Sequence, residues 1–237
     1  MKKTARVSVF KRMSDRYFLR FWTLAKKSLS FYFHHLAVTL ILGISMGYLT
    51  YHYRYDLTIR PTTFYWLVFT VLLFFLDISV NSFIILYYSR PEKNLLKALG
   101  KTGLIFLSKL FYALVTSIIL GLLYIFGFIA FIFPVFIMII VFSQTIYAVL
   151  LENANPISAL RYSVDMTKGN RIFIAFVFII NSILYVIVQS LVGTIPVSIR
   201  PIITSVFPGT FMWVVYYLLW KELKSRKANR PSTAVSN

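Results

Sequence analysis

Asp77 is the residue whose type and place most demand a chemical explanation, because it sits inside Phe64–Tyr88, a run otherwise dominated by Phe, Leu, Ile, Val and Tyr. A carboxylate in mid-bilayer costs a few kcal/mol unless it is protonated, paired or wetted. Asn81 follows one helical turn later on the same face. Counted from the ends of their own apolar runs, Gln144 and Asn181 fall at comparable depth, so Asp77, Asn81, Gln144 and Asn181 are expected to form one intramembrane polar layer. Two roles for that layer compete. In one, Asp77 takes a proton or cation and the amides line its path. In the other, its carboxyl is neutral or bonded to Gln144 or Asn181, and the layer glues helices at about 1 kcal/mol per contact. The scarcity of other intramembrane charge favours glue. Lys109 alone accompanies Asp77, about six residues into its own run, shallow enough to snorkel toward the headgroups.

Other chemistries lack their residues. There is no cysteine, and of the three histidines His34 and His35 are neighbours that point to different faces. No HExxH, phosphate-binding glycine loop, dinucleotide fingerprint or Ser/His/Asp set is present. The expectation is therefore no catalytic activity, no metal and no cofactor. A formal charge of +18 raises nucleic acid as a partner, but the basic residues flank apolar runs, which points to a phospholipid bilayer instead.

The elements that position these residues follow from composition. With 59% hydrophobic residues, 14% charged and mean hydropathy +0.75, the chain reads as an all-α membrane protein with a single transmembrane domain. Six runs reach crossing length: Phe31–Tyr51, Phe64–Tyr88, Gly103–Phe126, Ile132–Leu151, Arg171–Val192 and Pro201–Trp220. The third and fourth are continuous in hydropathy, yet one helix from Gly103 to Leu151 would be about 70 Å long, so a turn is expected near Gly127–Pro134. Pro208-Gly209 is expected to break or kink the sixth run, and Gly43-x-x-x-Gly47 in the first allows a close helix contact. Of the 25 Lys and Arg, all but Arg54, Arg60 and Arg200 fall on one side of this arrangement. Both termini are then cytoplasmic and the number of crossings is even.

On the cytoplasmic side, residues 1–30 read as a basic tail and an interfacial helix, 31–220 as the transmembrane domain, and 221–237 as a second basic tail. Ser14 is a candidate cap. Beyond it Phe18, Phe21, Trp22, Ala25 and Leu29 make one helical face, with Arg16, Arg20, Thr23 and Lys27 opposite. Pro91 to Gly100 has the punctuation of a second short helix. Asn155 to Asn170 has that of a third: Asn155 as N-cap, Pro156 at the first position, Gly169 as terminator and Asn170 as cap of the following span. The pattern predicts three hairpins, each introduced by an interfacial helix. Arg16, Arg20, Lys27, Lys93, Lys97, Arg161 and Lys168 are the expected contacts for anionic lipid headgroups, each worth about 1 kcal/mol near the surface.

The run Glu152-Asn153-Ala154-Asn155-Pro156-Ile157-Ser158-Ala159-Leu160-Arg161-Tyr162-Ser163, followed by Met166-Thr167-Lys168-Gly169-Asn170, resembles a signature of bacterial polytopic proteins in the YciC-like and glycerophosphodiester phosphodiesterase membrane-domain group. The resemblance covers about twenty residues closely. It implies a six-span protein of the bacterial cytoplasmic membrane and carries over a fold rather than a reaction, since no phosphodiesterase domain accompanies it. The expected function is a non-catalytic membrane protein organising lipids or a protein partner, another copy of itself included. The rival is a small transporter or permease component centred on Asp77.

Overall fold

The structure is a computed structural model that describes residues 2–59, 63–90, 95–130, 132–196 and 199–228. Among these, all regular structure is helical: α1 (Lys2–His34), α2 (Leu36–Ile59), α3 (Thr63–Ser89), α4 (Leu95–Ala130), α5 (Ile132–Phe142), α6 (Thr145–Glu152), α7 (Pro156–Thr167), α8 (Arg171–Val192), α9 (Arg200–Thr204), a π-helical turn Ser205–Gly209, and α10 (Thr210–Ala228). Three described helices are long and apolar enough to cross a membrane: Lys97–Ile129, Pro134–Glu152 and Arg171–Val192. A fourth is added if the bent pair Asp15–His34 and Leu36–Ser45 is one span.

Large apolar side chains face outward. On α4, Leu104, Leu107, Phe111, Ile118, Leu122, Ile125 and Ile129 recur at one- and two-turn spacings and stand exposed, as do Ile172, Ile179, Ile183 and Leu191 on α8. A protein in water would hide such stripes, so they mark the surface turned to lipid. Inside, rings from four elements interlock around the junction of α1 and α2. Phe31 meets Tyr88 edge-on at 5.1 Å, and the Tyr217 hydroxyl donates to the Tyr88 carbonyl at 3.0 Å.

The chain turns by 81° at His35. On either side of that elbow the first two helices follow the last ones. Along α1, Arg20 meets Glu222 and Tyr32 meets Phe211, so α1 runs antiparallel to α10. Along α2, a Cβ on Gly43 would lie 2.8 Å from the Val206 Cα, and one on Gly47 would lie 2.3 Å from the Ile202 Cα. The GxxxG pattern thus supplies the close contact expected of it, with α9 and the π-helical turn as its partner. That turn sits opposite the elbow, where the Val206 carbonyl accepts from Tyr32 Oη at 2.7 Å and Thr210 Oγ1 at 2.5 Å. Pro208 brings no N–H to the helix ladder, and side-chain hydroxyls satisfy the Val206 carbonyl beside it.

Several expectations need correcting. The first helix begins at Lys2 rather than after Ser14. Its third face, made by Leu24, Ser28 and Tyr32, is buried against the bundle, while Phe18, Trp22 and Leu29 stay exposed. Gly100 does not end a short helix. Of the segment 91–100, residues 91–94 lie outside the described residues, and the rest opens α4, a 36-residue helix. Buried Ala98 and Thr102 anchor that first turn, and packing outweighs the roughly 1 kcal/mol cost of a helical glycine. Of the three expected lead-in helices, α1 is set off from α2 by the 81° elbow and α7 is a separate element. Asn155 Oδ1 accepts the Ser158 N–H at 2.8 Å, Pro156 opens the helix, and Gly169 has φ 79°, as the sequence indicates. Asn170, by contrast, makes no side-chain cap for α8.

Candidate functional site

A polar cavity of about 280 Å³ lies where α2, α3, α8 and the α9 to α10 segment converge. Asp77 and Asn81 from α3 line it, with Tyr185 and Gln189 from α8, and Arg200, Thr204, Ser205 and Thr210 from the last segment. Leu42, Val80, Ile84 and Trp213 add apolar wall. The glycines of α2 let its backbone come close, and the π-helical turn rotates Ser205 into the lining. Such turns commonly mark functional positions in helices.

Asp77 is exposed on the cavity wall, and Asn81, one turn further along α3, is its hydrogen-bonding neighbour. Among the described residues no Lys, Arg or His stands within 4.0 Å of the Asp77 carboxylate. Arg200 reaches the α8 end through Nη2, which donates to the Gly193 carbonyl at 2.6 Å and the Ile195 carbonyl at 3.1 Å. Its Nε is buried without a partner, and it pairs with no carboxylate among the described residues.

The expected four-residue layer is therefore divided. Gln144 is fully buried, but in the break between α5 and α6 and not on the cavity. Its backbone N–H donates to Ser163 Oγ at 3.2 Å, its Nε2 to Ser143 Oγ at 3.2 Å, and Oε1 has no partner. Ser163 Oγ in turn donates to the Val141 carbonyl at 2.8 Å, so one hydroxyl of α7 bridges both sides of the break. Asn181 is buried beside the Tyr216 hydroxyl on α10 and does not line the cavity. Equal depth along separate helices did not bring these groups together, because each helix is rotated by its own packing. Arg200, Gln189 and Tyr185 were not singled out from the sequence. The available signal was Arg200 itself, a cation on the side that the charge rule leaves nearly empty of them.

Of the expected headgroup contacts, Arg16, Lys27, Lys97, Arg161 and Lys168 are exposed, and Lys93 lies outside the described residues. Arg20 is directed inward. Its Nε donates to Glu222 Oε1 at 2.6 Å, Nη1 to Asn170 Oδ1 at 3.2 Å, and the guanidinium lies 3.6 Å from the Phe173 ring centroid. Asn170 is thereby engaged by Arg20 instead of capping α8. Beside this clasp Lys224 pairs with Glu152 at 2.5 Å, and Lys227 lies 4.4 Å over the Tyr162 ring. Burial, with the Glu152 carboxylate near, raises the Tyr162 phenol above its ordinary pKa of 10.0, so the ring meets that cation neutral. Lys109 does not snorkel away either: its ammonium donates to the Leu150 carbonyl near the end of α6, where the helix dipole favours a cation. Two grooves carry cations on the surface, one lined by Lys26, Lys27, Ser30 and His34 with Phe31 and Leu218, the other by Arg161 with Val115 and Ile119. No three His, Asp or Glu gather as a metal site would need among the described residues.

Fold and site together define an all-helical chain with apolar helices of membrane-crossing length and a polar chamber among them. No protein-family model, no curated protein and no solved structure matches it.

Proposed function

We propose that the chain is a multi-pass protein of the bacterial cytoplasmic membrane, crossing six times with both ends inside, and that it binds and passes a small polar solute at the chamber around Asp77 without catalysing a reaction. One observation carries this reading: Asp77 lines a cavity and is joined to neither Gln144 nor Asn181. A gluing carboxyl would be enclosed by its partners. By the distribution of Lys and Arg, Arg200 stands at the outer end of the sixth span, so the chamber opens outward.

The absence of cysteine makes the test direct. In proteoliposomes oriented as in the cell, Thr204→Cys reacts with a membrane-impermeant maleimide added outside, and Asn181→Cys does not. An inert Thr204→Cys removes the chamber reading. Labelling of Lys97→Cys from the outside removes the topology.

A second reading is supported by the groove of Lys26, Lys27, Ser30 and His34, which joins cations to apolar Phe31 and Leu218 as a lipid with an anionic headgroup requires. On this reading the protein organises anionic lipids on the inner face. Lys26→Ala/Lys27→Ala then lowers the phosphatidylglycerol retained on purification, whereas unchanged retention speaks for topology as the sole role of these charges.

A further inference from the structure

The cavity wall carries one carboxylate and one guanidinium, and among the described residues the two form no ion pair with each other or with anything else. A cation bound at Asp77 would leave Arg200 unmatched, as an anion at Arg200 would leave Asp77. Both are satisfied at once by a solute that carries both signs. Its ammonium and carboxylate still shed their hydration, but each meets an opposite charge in exchange. The cavity of about 280 Å³ is on the scale of a pocket for a small organic solute. Val80, Ile84 and Trp213 give an apolar wall for a short hydrocarbon group.

We propose that the chamber takes a small zwitterion of the α-amino-acid kind, its ammonium toward Asp77 and Asn81 and its carboxylate toward Arg200. This rests on the chamber being a solute site, and it names the solute's class. Arg200 offers the carboxylate a guanidinium on the cavity wall that pairs with no acid among the described residues.

Leucine, isoamylamine and 4-methylpentanoate share a hydrocarbon skeleton and differ in which charges they carry; glycine is the smallest zwitterion. With the full-length protein in nanodiscs, calorimetry and thermal unfolding are expected to show leucine or glycine binding at least about tenfold more tightly than either singly charged analogue. Asp77→Asn, nearly isosteric, removes the advantage over 4-methylpentanoate, and Arg200→Gln the advantage over isoamylamine; an unchanged gel-filtration profile controls for folding. If isoamylamine equals leucine, or if neither zwitterion binds while Thr204→Cys still labels, the zwitterion assignment falls and the chamber survives. An unlabelled Thr204→Cys together with no binding removes both.

Discussion

Ser163 holds the fourth apolar run together across its break. Replacing it with alanine leaves the Gln144 N–H without its acceptor, and leaves the Val141 carbonyl only a 3.4 Å contact from Thr167 Oγ1. The site is fully buried, so Ser163→Ala should cost about 1–3 kcal/mol, read as a lowered unfolding midpoint of the detergent-solubilised protein. Asn155→Ala, which removes an exposed cap, should cost about 1 kcal/mol in the same measurement. The contrast shows which residues a sequence makes legible. Asn155 and Gly169 act on the backbone within three or four positions, and their type and place suffice to assign them. Gln144 and Arg20 act on partners 19 and 202 positions away, and neither partner is written into the local pattern.

At the scale of elements, the contact of α2 with α9 depends on a missing side chain. A methyl at Gly47 meets the Ile202 backbone, which cannot swing aside as a flexible side chain would. Gly47→Ala should therefore destabilise by about 1–3 kcal/mol. Gly121→Ala, with nothing within 4 Å of the added Cβ, should leave stability unchanged or raise it by up to about 1 kcal/mol. A reversed order of these two variants in thermal unfolding would contradict the packing described. The GxxxG spacing disclosed that α2 approaches something closely, and Pro208-Gly209 disclosed where the sixth run departs from regular helix. That these two irregularities face one another was not legible, since periodicity identifies a face without identifying its neighbour. The same limit hid the continuity of α4 through Gly100 and Gly103, where tertiary burial overrides local propensity.

For the whole molecule, charge asymmetry and hydropathy made the membrane class legible, whereas the inner-face clasp came only with the structure. Glu222 accepts from both Arg20 and Arg226, at 2.6 and 3.0 Å. Removing the carboxylate strands a partly buried guanidinium, while removing Arg20 leaves Glu222 with Arg226. Glu222→Gln should thus cost on the order of 2 kcal/mol and Arg20→Gln less, with both penalties shrinking in high salt. Denaturant titration at two ionic strengths checks the order and its salt dependence. The clasp also has a bearing on biogenesis. Arg20 leaves the ribosome early and its counter-ion some two hundred residues later, so the clasp that fixes α1 closes only once α10 has been synthesised. A nascent chain stalled before α10 would hold α1 by its contacts with α8, leaving the Arg20 guanidinium without its carboxylate at the membrane surface.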